Sequence, residues 1–167
     1  MLTYRESRAK EFLAQESDEV VRAEYIKPLI MLGIGMAVTF LGLFFGAFGE
    51  SGLLFAVGGM IAVAIVLTLT VIIAFFGLAI ASYLFSLDAG PITLVLIRLA
   101  GIFAIMMPVN LLIPVGGLLW GIGTLLILSG LVAMLFDFEL FEAVISVIIM
   151  KLVNLVVMIA IMAYFSG

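Results

Sequence analysis

Cysteine and histidine are both missing from the 167 residues, and these two absences exclude several kinds of chemistry. Without cysteine there are no disulfides and no thiol redox reactions, and without both residue types there are no Cys/His zinc sites. Without histidine there is no His-based acid-base catalysis. The sequence also has no phosphate-binding loop motif, and its carboxylates lie at turns rather than in pairs within apolar runs. We therefore predict a protein that is not an enzyme and that carries no cofactor and no metal ion.

Charged residues are also scarce. They make up 11% of the chain, whereas hydrophobic residues make up 66% and the mean hydropathy is +1.47. This composition has too little polar surface to cover a water-soluble globule of the same size. The few Lys and Arg residues form no cluster dense enough to bind nucleic acid. The sequence therefore predicts a multi-pass integral membrane protein whose first partner is the lipid bilayer.

Five apolar runs, separated by short turns, follow residue 27. Since about 20 apolar residues cross a bilayer as a helix, they predict an all-α, polytopic membrane bundle of about five transmembrane helices behind an N-terminal amphipathic helical segment. The predicted spans are 29–48, 53–87, 91–112, 118–136 and 143–165. The second run has no charge for 35 residues. As one helix it would measure about 52 Å, so it must tilt, protrude or break, and Gly58-Gly59 is the expected irregularity.

Residues 1–27 form a polar segment that holds five of the seven Lys and Arg residues. The sequence from Thr3 to Glu6 has the spacing of a capping box, so a helix is predicted to start there. Ser17-Asp18 could end this helix and cap a second one, and Pro28 would then lie in the first turn of the first span. A narrow apolar stripe favours a helix at the membrane interface, and a solvated tail is the alternative.

The same basic segment predicts the orientation of the chain. Because the later loops contain almost no Lys or Arg, the N-terminus is predicted to be cytoplasmic. With five spans, the turns at 86–91 and 137–142 are then also cytoplasmic, and the C-terminus lies outside.

Small residues recur at helical spacing on several of the predicted spans. Such seams let neighbouring helices approach closely, and we expect the seams of the first two spans to pack against each other. The predicted packing residues are Gly35, Thr39, Gly42 and Gly46 on the first span, Thr70, Ala74, Gly77 and Ala81 on the second, and Gly117 and Gly121, with Thr124, on the fourth.

A few polar side chains interrupt or border the apolar runs and form the predicted polar centre of the bundle. A cation inside a membrane helix normally faces protein or water and has a partner. We therefore expect the carboxylates of the 137–142 turn and of the turn before the third span to hold the two intramembrane cations as a clamp, with an asparagine completing the hydrogen bonds. The residues concerned are Asp88, Arg98, Asp137, Glu139, Glu142, Lys151 and Asn154.

The order of features after residue 90 resembles the C-terminal part of the Yip1-domain family of five-span membrane proteins. The resemblance is carried by Met107-Pro108, the 113–117 turn (Ile-Pro-Val-Gly-Gly), the acidic 136–139 turn (Phe-Asp-Phe-Glu) and Glu142-Ala143. The sequence at 88–91, Asp-Ala-Gly-Pro, echoes the family's Asp-Leu-Tyr-Gly-Pro element without its Tyr and at a later span. The resemblance implies a five-span architecture. Eukaryotic members are associated with membrane trafficking, and bacterial relatives have no settled activity.

Two functions fit these features. The first is a non-catalytic membrane scaffold or accessory subunit, which packs with itself as a homo-oligomer or joins a larger membrane complex. The second is a small transporter or channel that uses Arg98, Lys151 and Asn154 along its path. The sequence favours the scaffold, because both cations can be neutralised at one interface and no pathway residue is predicted near the bilayer midplane.

Overall fold

The fold is an all-α bundle of five helices. The computed structural model describes the backbone of residues 4–46, 52–112 and 118–166, and the side chains of residues 22, 24–45, 57–110 and 120–166. The described parts contain no strand, which confirms the predicted fold class. The helices are α1 (Tyr4–Gly46), α2 (Gly52–Phe85), α3 (Ile92–Leu112), α4 (Leu118–Phe136) and α5 (Leu140–Ser166).

Helix α1 is a single helix of 43 residues that continues through Pro28. The predicted break at Ser17-Asp18 and the predicted helix start near Pro28 are therefore wrong. Proline cannot donate a hydrogen bond to the carbonyl of Glu24, one turn earlier, and usually disrupts a helix. Here Pro28 is fully buried, and its carbonyl lies where α1 meets Gly101 of α3, so tertiary packing compensates for the loss. The predicted capping residue Thr3 lies outside the described residues, as do the side chains of the apolar stripe.

Helix α2 continues through Gly58-Gly59 for 34 residues, so the irregularity expected there is absent. In an apolar environment a broken helix would leave backbone groups without hydrogen-bond partners, which favours continuity even at glycine. The helix is about 51 Å long, so it must tilt or extend beyond a ~30 Å hydrocarbon core. It ends at Phe85, and the next residue, Ser86, has a φ of 56°. The N–H of Leu87 donates to the carbonyl of Ser82 at 3.1 Å. This bond and the left-handed residue form a Schellman end.

Helices α3 and α4 match the predicted spans to within a residue, whereas α5 begins three residues earlier than predicted. The early start of α5 follows from its cap, because the Glu142 carboxylate accepts a hydrogen bond from the backbone N–H of Glu139 at 3.0 Å. Four of the described helices are long and apolar enough to cross a membrane, with candidate spans in α1, α2, α3 and α5. The corresponding part of α4, residues 120–136, is shorter, so a count of five spans stays a prediction.

The small-residue seams are helix contacts, but at Gly35 and Gly77 they meet α3 and α5 rather than each other. A Cβ added at Gly35 would collide with the Ala104 carbonyl of α3, and one added at Gly77 would lie 2.6 Å from the Met150 Cα of α5. The most extensive interfaces are accordingly α1 with α3 and α2 with α5. Our expectation that the two seams pack together is therefore wrong, because a seam shows that a neighbour comes close without showing which one.

The other predicted packing residues divide into three groups. Thr39, Ala74 and Ala81 are buried, as is Thr124, whereas Gly42 and Thr70 are half-buried. Gly121 has open space around it, so its predicted role in packing is wrong. Gly117 and the side-chain position of Gly46 lie outside the described residues.

The apolar core lies between α2, α3, α4 and the first half of α5. Leu78, Leu99, Ile102 and Val132 are among its most completely buried side chains. Beyond residue 150, every described residue of α5 except Val153 and Val157 is exposed. The second half of α5 thus contributes little to the core, and the bundle is looser on that side.

Candidate functional site

Arg98 is the most deeply buried charged side chain among the described residues, and its partners come from α1 and α4. The residue is 9% exposed, and its Nη2 lies 3.6 Å from the Glu24 Oε2 of α1. Its Cζ lies 5.3 Å from the centroid of the Phe136 ring of α4, within cation-π range. Its Nε is buried and has no hydrogen-bond partner among the described residues. Arg98 therefore connects three helices and is neutralised by Glu24.

This pairing differs from the predicted clamp. Neither Asp88 nor a carboxylate of the 137–142 turn makes an ion pair with Arg98 in the part of the chain that the structure describes. The Asp88 carboxylate accepts a hydrogen bond from the N–H of Gly90 at 3.0 Å, and Glu142 caps α5. The packing of α1 on α3 explains this difference. The Pro28 carbonyl lies against Gly101, and Glu24, one turn before Pro28 on α1, therefore lies beside Arg98.

Lys151 has a different environment from Arg98. Its Nζ donates a hydrogen bond to the Thr124 hydroxyl at 3.3 Å, and no carboxylate of the described residues lies within ion-pair distance. The predicted ion pair of Lys151 with Asp137 or Glu139 is therefore absent. The reason is depth: Lys151 follows Glu142 by nine residues, or about 13 Å of helix, which is close to the midplane of a ~30 Å core.

Lys151 lines a cavity of about 580 Å³ between α2, α3, α4 and α5. Polar groups from all four helices reach its wall, and apolar side chains rich in methionine surround them. The polar and amphipathic lining residues are Thr70, Asn110, Trp120, Thr124, Lys151 and Asn154, and the methionines are Met106, Met150, Met158 and Met162.

A second cavity of about 480 Å³ adjoins the first on the side of α1. The two cavities share Thr70, Phe103, Met106 and Asn110 in their walls. Thr70 of α2 and Asn110 of α3 therefore lie in the walls of both cavities.

The Lys151 ammonium group and the two asparagine amides of the cavity wall have hydrogen-bond donors that the described residues do not use. The Thr124 hydroxyl donates to the Gly121 carbonyl at 3.0 Å, so its oxygen is free to accept from Lys151. An ammonium group has three donors, and Thr124 uses one of them. The amides of Asn110 and Asn154 make no hydrogen bond to another described residue. The cavity wall thus combines one cation with two amide groups that have no hydrogen-bond partner among the described residues.

The arrangement limits the chemistry that this site can perform. No group of three or more acidic residues that could hold a metal ion occurs among the residues that the structure describes. The charged residue of the cavity wall is Lys151, and no carboxylate stands beside it to act as its base. An apolar cavity with a few convergent polar groups is the usual composition of a small-molecule binding site.

Lys151, Asn154 and Asn110 were identified from the sequence as residues that could line a solute path, and all three line this cavity. Thr124 was assigned to helix packing, and Trp120 was assigned to no site. Glu24 was missed as the partner of Arg98, although a signal was present. Glu24 begins the apolar part of α1, Arg98 lies about two turns into α3, and the first and third helices run in the same direction.

Comparisons with protein-family models, with curated proteins and with solved structures find no match to this chain.

Proposed function

We propose that the chain is a small multi-pass membrane protein that binds a solute within the bilayer, in the manner of a transporter or channel, with its N-terminus in the cytoplasm. The observation that carries this proposal is the position of Lys151. Its ammonium group borders a cavity near the middle of α5, where the described residues offer a hydroxyl as partner and no carboxylate. Ionisable residues at this depth are costly, and they are typical of substrate or ion pathways.

The two cations support different roles. Arg98 is neutralised by Glu24 and lies against Phe136, which is the environment of a structural residue. Lys151 has neither feature. From the sequence, a transporter was disfavoured because both cations could be neutralised at one interface. Lys151 has no carboxylate partner among the described residues, so this reason does not apply to it.

A cysteine scan of α5 tests the proposal directly, because the chain has no cysteine of its own. Thiols react with methanethiosulfonate reagents as thiolates, which require water. Asn154→Cys places a thiol on the cavity wall, and Val156→Cys places one on an exposed part of the same helix outside the cavity. In membranes we expect a water-soluble reagent to modify the first variant and to leave the second, which faces lipid, unmodified.

The same pair of variants distinguishes binding from passage. The reagent is applied to intact cells and to inside-out membrane vesicles. Modification of Asn154→Cys from both sides supports a path that opens to each side, and modification from one side supports a binding site without passage. An unreactive Asn154→Cys would contradict the proposal, because a dry cavity cannot admit a polar solute. Equal reaction of Val156→Cys would also contradict it, because α5 would then not face lipid.

The scaffold function is a second candidate, and the exposed second half of α5 favours it. Many side chains of this segment outside the cavity wall, including Val156 and Ile159, are exposed and apolar, so a partner helix or a second copy could cover them. Cross-linking of Ile159→Cys in native membranes tests it: a specific cross-linked product is expected for a scaffold, and no product is expected if lipid alone covers α5.

A further inference from the structure

We propose that the solute is an organic anion with an apolar body, whose carboxylate, sulfonate or phosphate group binds to Lys151. This inference rests on the proposed function and names the ligand class of the same cavity. Three features of the site support it: the balance of charge in the cavity wall, the hydrogen-bond donors around Lys151, and the methionine-rich surface that continues along α5.

The charge balance favours an anion over a cation or a neutral molecule. Lys151 brings one positive charge to the cavity, and the lining residues bring no carboxylate. A cation removed from water is stabilised mainly by an opposite charge at close range, and none is present among the described residues around Lys151. An anionic group in the cavity would supply that charge. A cationic solute would meet repulsion and no compensating group.

The hydrogen-bond donors show where the anionic group would lie. Two N–H groups of the Lys151 ammonium remain after its bond to Thr124. Asn154 follows Lys151 by three residues, so it lies on the same face of α5 and lines the same cavity. Its amide N–H₂ and that of Asn110 can donate to the oxygens of an anion. Charge-assisted hydrogen bonds of this kind are stronger than neutral ones, and Lys151 supplies them.

The remaining wall suits an apolar body. Met150, Met158 and Met162 line the cavity from α5, and Phe103 and Met106 line it from α3. Methionine side chains adapt to ligands of different shape. The volume of about 580 Å³ lies within the range of about 300–1,000 Å³ that is usual for small-molecule pockets. A purely inorganic anion would leave most of this apolar surface without a contact.

Such an anion has two possible sources, water and the membrane. A short carboxylate would enter from water, whereas an anionic lipid would enter from the bilayer beside the exposed second half of α5. The chemistry at Lys151 is the same in both cases, so the experiment includes one probe from each source.

Trp120 makes the experiment specific, because it is the single tryptophan of the chain and it lines the cavity. Bromine atoms quench indole fluorescence at short range. The water-borne probes are 6-bromohexanoate and the neutral 6-bromohexanol, added to protein in vesicles at pH 8, where the carboxylate is ionised. The membrane probes are phosphatidylglycerol and phosphatidylcholine with brominated chains, compared at equal mole fraction.

For the unmodified chain we expect at least one anionic probe to quench Trp120 with an apparent affinity about tenfold or more above that of its uncharged or zwitterionic partner. Lys151→Met should abolish this preference, and Lys151→Arg should retain most of it because the charge remains. Thr124→Val, which removes the hydroxyl that holds Nζ, should reduce the preference without abolishing it. Circular dichroism of each variant confirms that the helices are intact.

The outcomes separate this inference from the proposed function. A preference for bromohexanoate that depends on Lys151 assigns a water-borne anion, and one for brominated phosphatidylglycerol assigns an anionic lipid. Equal quenching by bromohexanoate and bromohexanol, with no preference between the lipids, overturns the anion while leaving a solute-binding cavity. No quenching by any soluble probe and no preference between the lipids, together with an unreactive Asn154→Cys, overturns both proposals. Since the probes are compared on the unmodified chain, the test holds even if a Lys151 variant fails to fold.

Discussion

Gly77 is where a single added methyl group should disturb the contact between α2 and α5. A Cβ built at Gly77 lies 2.6 Å from the Met150 Cα and 3.0 Å from its Cγ, whereas ordinary van der Waals contact begins near 3.4 Å. The obstructing Cα is backbone, so rotation of a side chain cannot relieve the collision. Gly77→Ala therefore requires the two helices to separate locally by about 1 Å, and overpacking of this kind costs about 1–3 kcal/mol.

Gly58→Ala is the matched control for this prediction. Gly58 lies on the same helix, and a Cβ there has nothing within 4 Å. The substitution should leave stability unchanged or raise it by up to about 1 kcal/mol, since alanine favours the helix. Unfolding in mixed micelles with increasing sodium dodecyl sulfate, followed by circular dichroism, measures both variants. If Gly77→Ala is as stable as Gly58→Ala, α5 does not pack on α2 at this position and the described interface is wrong.

Three further predictions concern the ion pair, a turn and the topology. Glu24→Gln should destabilise the bundle by about 1–3 kcal/mol, because Arg98 stays buried without a counter-charge. Adding Arg98→Met should restore part of the loss in the same unfolding assay, and a further loss would contradict the pair. Asp137 has a φ of 53°, so Asp137→Gly should be about 1 kcal/mol more stable than Asp137→Ala, which would keep the strained left-handed conformation. Equal stability of the two would contradict this. With five spans, an impermeant thiol reagent added to intact cells should modify Ser166→Cys and spare Arg22→Cys, and modification of both or neither would contradict the count.

The helix boundaries were the most predictable part of the fold. The polar turn at 88–91 and the Pro- and Gly-containing turn at 113–117 end apolar runs clearly, so α3 and α4 were placed almost to the residue. Such boundaries depend on local chemistry, namely proline, glycine and charge at a turn. Pro28 was read with the same rules and gave a wrong boundary, because its buried contact with α3 is not local.

Helix neighbours were predicted less well, for a reason that applies to many membrane bundles. Small residues at regular spacing show that a helix has a close neighbour, and the burial of Gly77 and Ala81 agrees with this. They carry no information on the identity of the neighbour, since lipid-facing and protein-facing surfaces are equally apolar. Gly101 contacts Pro28 as closely as Gly77 contacts Met150, yet it belongs to no recurring pattern and was not predicted.

Arg98 and Lys151 illustrate the same limit for the candidate site. In the sequence each is one cation within an apolar helix, and the nearest carboxylates along the chain are the obvious partners. The partners in the bundle are different, because α1 brings Glu24 to Arg98 from more than 70 residues away, and no carboxylate of the described residues lies within ion-pair distance of Lys151. Depth explains the contrast. Arg98 lies about two turns from the start of α3, at a level where Glu24, the first residue of the apolar part of α1, can reach it, whereas Lys151 lies near the middle of α5. A carboxylate there would itself have to be desolvated, which costs more than the hydroxyl and amide groups that occupy the site. Under the proposed function, the anionic group of a solute in the cavity would supply the counter-charge that the described residues do not provide.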